Sequence, residues 1–162
     1  MIISIDPGIS GAVAGNDEGE THIFKMPETP RDLFILILSM KTDDAFCWIE
    51  QVGSYMPNNS GPAAVKFARH CGHLDMALVA SGIPYDYVLP TKWEHWLIGK
   101  PNYPKIDKNI SKQARQQILS KRTQERKNKI KTKIQALYPN LKITLQNADA
   151  IGILHWALNN NG

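Results

Sequence analysis

Ile2-Ile3-Ser4-Ile5-Asp6-Pro7-Gly8-Ile9-Ser10-Gly11-Ala12-Val13-Ala14-Gly15 is the stretch whose reading decides the fold. Ile2 to Asp6 is a short β-branched run and Gly11 to Gly15 a second extended segment, with Pro7-Gly8 dividing them. Asn16-Asp17-Glu18-Gly19 then supplies turn chemistry before a third strand from Thr21 to Met26. Three strands joined by so little chain predict an antiparallel meander.

Working outward, Pro30 opens a helix through Met40, with Leu33, Ile37 and Met40 on one stripe and Phe34 and Leu38 widening it. Ala45 to Glu50 is a compact apolar run ending in an acid, as a buried strand would be. After the Pro/Asn/Gly loop from Met56 to Gly61, a helix is expected from Pro62 to Ser81, with Gly82 as its C-cap glycine. Tyr85 to Leu89 reads as the fifth strand and Trp93 to Ile98 as a short helix. A long basic helix, continuous or broken, follows from Ser111 to Leu137, capped by Ser111 and stopped before Pro139. Asn147 to Leu158 reads as the last helix. This order predicts an α/β protein with a mixed five-stranded sheet, three antiparallel strands then two parallel, flanked by helices.

The 162 residues fit one domain, 1–162, with a basic helical insertion at about 102–142. No basic leader precedes Ile2, and the longest apolar run, Leu33 to Met40, is too short to cross a membrane. Cys47 and Cys71 sit in apolar stretches without metal-ligand spacing and read as buried thiols, so a cytoplasmic protein is expected. The net charge of +4 conceals an asymmetry: Pro104 to Lys133 carries eleven Lys/Arg against two acids, and the rest of the chain 8 basic and 13 acidic residues. Such a block suits a polyanionic partner; the alternative is a solvated helix face.

Hydrolysis of phosphodiesters with Mg²⁺ or Mn²⁺ requires several carboxylates at one point, because these ions prefer hard oxygen ligands. One ion sharpens the attacking water, and a second, roughly 3.5–4 Å away, stabilises the leaving oxygen. Asp6 ends the first strand and Glu50 the fourth. If those strands are parallel neighbours, both acids emerge at the carboxyl edge of the sheet, where Asp149 in the first turn of the last helix can join them. Taken singly, Asp6 reads more readily as a turn residue before Pro7-Gly8 and Asp149 as a dipole-favoured helix acid. Three acids at three such positions favour a catalytic set.

Ile5-Asp6-Pro7-Gly8-Ile9-Ser10-Gly11-Ala12 resembles the first-strand motif of RuvC-like crossover junction nucleases, and Ile49-Glu50-Gln51-Val52 their fourth-strand acid motif. Phe67-Ala68-Arg69 through Gly72 to Ser81-Gly82-Ile83-Pro84, then Val88-Leu89-Pro90-Thr91-Lys92-Trp93, resembles the helix-strand-Trp stretch of the phage-type subgroup. Ala148-Asp149-Ala150-Ile151-Gly152-Ile153 is similar to the closing acidic helix. The resemblance covers nearly all of the chain and is looser from Asn102 to Lys142. It implies an RNase H-like fold, a homodimer, two Mg²⁺ or Mn²⁺ ions held by Asp6, Glu50 and Asp149, and paired nicks across a four-way DNA junction.

Two departures stand out. Many relatives carry an acid or a His one turn before the last Asp, where this chain has Gln146, a ligand without charge. Bacterial members place a wedge Phe after the Gln-Val pair, where this chain has Gly53; Tyr55 or Met56 takes that role, or Tyr55 is an ordinary loop residue. For DNA contacts the basic block offers Lys112, Arg115, Lys121 and Arg122 as phosphate clamps. Lys92 beyond the fifth strand either touches the phosphate beside the cut or snorkels over Trp93. Trp93 and Trp96 read as packing residues, and His70 and His73 lack the third partner of a zinc site. The expected function is a structure-selective endonuclease for Holliday junctions and related branched DNA. The alternatives are a catalytically weak junction-binding protein and a flap or hybrid nuclease of the same fold.

Overall fold

The structure, a computed structural model, describes residues 1–53 and 61–160. Three strands open it: β1 (Ile2–Asp6), β2 (Ala12–Asp17) and β3 (Glu20–Lys25). They pair antiparallel, as the closely spaced strand and turn signals predict. Asp17 pairs with Glu20, leaving Glu18 and Gly19 as a two-residue loop with both residues at positive φ, the condition a primed hairpin turn imposes. After α1 (Pro30–Ser39), β4 (Phe46–Glu50) enters parallel to β1, and β5 (Tyr85–Val88) parallel to β4. The sheet order is β3-β2-β1-β4-β5, the mixed five-stranded arrangement expected.

Among the described residues four further helices follow: α2 (Gly61–Ser81), α3 (Pro90–Ile98), α4 (Lys112–Leu137) and α5 (Ala148–Asn160). α3 begins three residues earlier than expected because Pro90, with its fixed φ, occupies the first helical turn. Ser111 caps α4, its hydroxyl accepting from the Ala114 N–H at 3.1 Å, and the helix runs unbroken for 26 residues.

Alternation along the strands divides the core in two. Ile3, Ile5, Val13, Cys47 and Ile49 pack with α1 and α2. On the other face Ala12, Ala14 and Val88 meet Trp93 and Leu97 of α3, Ile130 and Ile134 of α4, and most of α5. α5 is buried on nearly every side, between the sheet and the two preceding helices. α4 is the opposite case: Ile130 and Ile134 are its buried residues, so its second half anchors a helix whose first half stays solvated. Of the two thiols Cys47 is buried, whereas Cys71 on α2 is only half-buried, less enclosed than its apolar neighbours suggested.

Candidate active site

Parallel pairing of β1 with β4 sets two carboxylates side by side. Ile5 is in register with Ile49, so Asp6 and Glu50, each the next residue and the last of its strand, leave the sheet at one level of its carboxyl edge. Alternation turns both toward the face that carries α5, together with Ser4 and Trp48. Ser4 is fully buried, and its hydroxyl donates to the Ala150 carbonyl at 2.7 Å. That bond pins the first turn of α5 to β1, and the residue before Ala150 is Asp149. Immediately after Asp6 the chain turns at Pro7-Gly8, where Gly8 has φ +114°, a conformation that side chains other than glycine's rarely adopt.

The three acids share one electrostatic neighbourhood. The Asp6 carboxyl is pushed up to about 8, first by burial and then by the charges of Asp149 and Glu50. Glu50 is raised by burial and by Asp149, and Asp149 by burial. Three groups oppose this. The Trp93 indole N–H donates to Glu50 Oε1 at 3.1 Å, and the charges of Arg126 and Lys127 favour the ionised form of all three acids. Among the described residues no three His, Cys, Asp or Glu side chains form a closed metal chelate as placed, so the acids are neighbours rather than an assembled cage. The donor set itself suits a hard divalent cation: all carboxylate oxygen, half-buried and mutually repelling, so that added positive charge would relieve it.

Behind the acids lies a tight support. Trp93 is wholly buried, and a Cβ added to Gly152 would stand 2.6 Å from its Cζ3. Glycine at 152 therefore lets α5 approach the indole that holds Glu50, one turn after Asp149. Next to Trp93, Glu94 is also buried and is ion-paired with Arg126 of α4.

Other expected site residues are dispersed. Gln146 is exposed in the turn before α5 and lines a cleft with His22, Phe24 and Lys25 of β3. Lys92 is exposed, with its ammonium 4.9 Å from the centre of the Trp156 ring, so the tryptophan it covers is not Trp93. Lys112, Arg115 and Lys121 are exposed on the solvated half of α4. Arg122 is engaged within the protein: it donates to the Pro104 carbonyl at 2.6 Å and stacks on Tyr103, whose hydroxyl donates back to the Arg122 carbonyl at 3.2 Å. Tyr55 and Met56 lie outside the described residues.

The architecture has solved counterparts. Thermus thermophilus RuvC superimposes with a TM-score of 0.55 at 14% identity, over 99% of this chain and 96% of that one. The structure of T. thermophilus RuvC in complex with Holliday junction substrate gives 0.56 at 12% identity, over 98% of this chain and 94% of that one. The chain has the RuvC fold. No protein-family model matches the sequence, and no curated protein does.

Within that RuvC fold, Arg126 and Lys127, whose charges the acids feel, and Glu94, the partner of Arg126, are the residues that sequence reasoning did not single out. The signal was present in the helical spacing. Arg126, Ile130 and Ile134 recur every four residues, which places Arg126 on the packed stripe of α4 and not on its solvated face.

Proposed function

We propose that this protein is a metal-dependent endonuclease that resolves Holliday junctions and related branched DNA. The observation that carries the reading is the clustering of Asp6, Glu50 and Asp149 at the carboxyl edge of a RuvC-fold sheet, where the Asp149 charge raises the carboxyls of Asp6 and Glu50 and the Glu50 charge adds to that on Asp6. Asp6, Glu50 and Asp149 would hold Mg²⁺ or Mn²⁺, as a pair of ions. When bound, these supply the positive charge that makes water nucleophilic and steadies the leaving oxygen. The chain's own residues do the rest. Trp93 orients Glu50 through its N–H, Ser4 fixes the helix that presents Asp149, and burial keeps competing water low. Gln146, exposed over β3, is left out of the ligand set proposed here.

The wider reading follows from the same centre. The chain acts as one nuclease domain, and α4 with its flanks, about 102–142, serves as a basic arm along the DNA, with Lys112, Arg115 and Lys121 on phosphates. Exposed Val65, Met76 and Val79 on α2 supply an apolar face for a homodimer, which would set two centres for paired nicks. No described helix is long and apolar enough to span a membrane. A cytoplasmic location belongs to the same proposal.

Cleavage of four-way junctions, flaps and linear duplex with Mg²⁺ and with Mn²⁺ tests the proposal. Preferential paired nicking of the junction is expected, with Asp6→Asn binding junctions but not cutting them. Equal cutting of linear duplex would remove the resolvase reading. Binding without cutting in either metal would leave a junction-binding protein.

A further inference from the structure

Glu94 is the most deeply buried acid among the described residues, 6% exposed, yet it is not one of the three at the sheet edge. A buried carboxylate is costly to keep ionised without a partner, and Glu94 has one in Arg126 across the α3–α4 contact. Arg126 also stands near enough to Asp6, Glu50 and Asp149 for its charge to be felt by each. A guanidinium is a flat fork of donors that fits a carboxylate with two parallel bonds. The charge of one arginine thus acts on three acids at the sheet edge, while a fourth, Glu94, is ion-paired with it. A cleft of about 310 Å³ between α3 and α4, lined by Glu94, Arg126, Tyr103 and Lys129, leaves space beside the pair.

We infer that Glu94 is a positioning residue: it holds the Arg126 guanidinium off the Asp6, Glu50 and Asp149 carboxylates and so keeps their oxygens open to a divalent cation. This rests on the proposed function, since it assumes that those oxygens bind metal. With Glu94 uncharged, Arg126 loses its buried partner, and the carboxylates that already feel its charge are the three at the sheet edge. An arginine seated among them would occupy the same oxygens as the ion. A purely structural role for the pair, welding α3 to α4, makes a different prediction. In that case each single variant strands a buried charge, so Arg126→Met weakens ion binding as Glu94→Gln does, in step with the stability each loses.

Terbium binding to the full-length protein without DNA reads this directly, because the Trp93 indole beside Glu50 can sensitise Tb³⁺ emission. Mn²⁺ calorimetry gives a second measure. Glu94→Gln is expected to weaken ion binding by roughly tenfold or more, the effect of one competing charge-assisted bond. Adding Arg126→Met to that variant should restore wild-type affinity. Arg126→Met alone, with Glu94 intact, should bind the ion at least as tightly as wild type. Unchanged affinity in Glu94→Gln, no recovery in the double variant, or weaker binding in Arg126→Met would each overturn the inference while leaving the nuclease reading intact. If Glu94→Gln fails to fold, Arg126→Met and the double variant decide it. Wild-type protein that binds neither Tb³⁺ nor Mn²⁺ would remove the inference and the proposed function together.

Discussion

The indole N–H of Trp93 donates to Glu50 Oε1 at 3.1 Å from a ring that is wholly buried. The bond favours the ionised carboxylate, working against burial and the Asp149 charge. Trp93→Phe keeps an aromatic ring in place and removes the donor. The Glu50 carboxyl should then rise further, so a higher pH is needed to ionise it. The acid limb of the pH–rate profile for junction cleavage is expected to move to higher pH, with a loss of about 1–3 kcal/mol in stability from the missing bond and the smaller ring. An acid limb that stays in place would mean the bond is only a packing feature.

Gly152 gives the same indole its space. A methyl group there would stand 2.6 Å from Trp93 Cζ3, and both residues are buried. Gly152→Ala should therefore push the indole or α5 aside, at a cost of about 1–3 kcal/mol despite alanine's better helix propensity. Because α5 carries Asp149, cleavage should fall by more than the stability loss explains. Thermal melts and single-turnover cleavage under conditions where the variant is fully folded check this. A variant as stable as wild type would show that the core accommodates the methyl group.

Much of this arrangement was legible in the sequence because it rests on local signals. The β-branched run before Pro7-Gly8, the apolar run ending at Glu50 and the Ser111 cap each specify their element through a few adjacent residues. Two strand-terminal acids on parallel neighbours then have nowhere to go but the same edge. What was hidden depends on contacts between distant segments. Nothing near Glu94 in the chain announces that it will be buried, since its partner Arg126 arrives from another helix. Arg122 looked like any other base in the block, yet Tyr103 and Pro104 engage it. The hairpin at Glu18-Gly19 shifted the third strand by one residue, a matter of turn geometry that hydrophobic patterning does not resolve.

The basic helix offers a prediction in which one arginine should behave unlike its neighbours. Lys112, Arg115 and Lys121 are exposed, so replacing each with Ala should weaken junction binding without changing stability. If each contacts one phosphate, each loss should also flatten the log–log salt dependence of binding by roughly 0.9. Arg122→Ala should instead lower the melting temperature, because it removes the guanidinium bond to the Pro104 carbonyl and the stacking on Tyr103 that hold the loop. Fluorescence anisotropy across a salt series, paired with melting curves, separates the two behaviours. Equal effects from all four would place Arg122 on the DNA as well, and unchanged salt slopes would remove the arm from the interface.

Asp6 makes the candidate site a source of instability when no cation is bound. Its carboxyl is raised from 3.8 to about 8 in the folded protein. At pH values below 3.8 the group is protonated in both folded and unfolded chains and has no effect on stability. Between 3.8 and about 8 the folded protein keeps a proton that the unfolded chain has released, so stability declines as pH rises through that window. Asp6→Asn has no proton to lose and escapes the decline. Metal-free Asp6→Asn should therefore unfold at a higher temperature than wild type at pH 8, by on the order of 2 kcal/mol or roughly 4–8 °C, with the gap closing toward pH 4. Adding Mn²⁺ should raise the wild-type melt at pH 8 and move the variant much less, since the ion would neutralise the charge that the substitution removes. Scanning calorimetry from pH 4 to pH 8, with and without Mn²⁺, reads both effects. A variant less stable than wild type at pH 8 would make the Asp6 carboxylate a structural group and take away the first of the three proposed ligands.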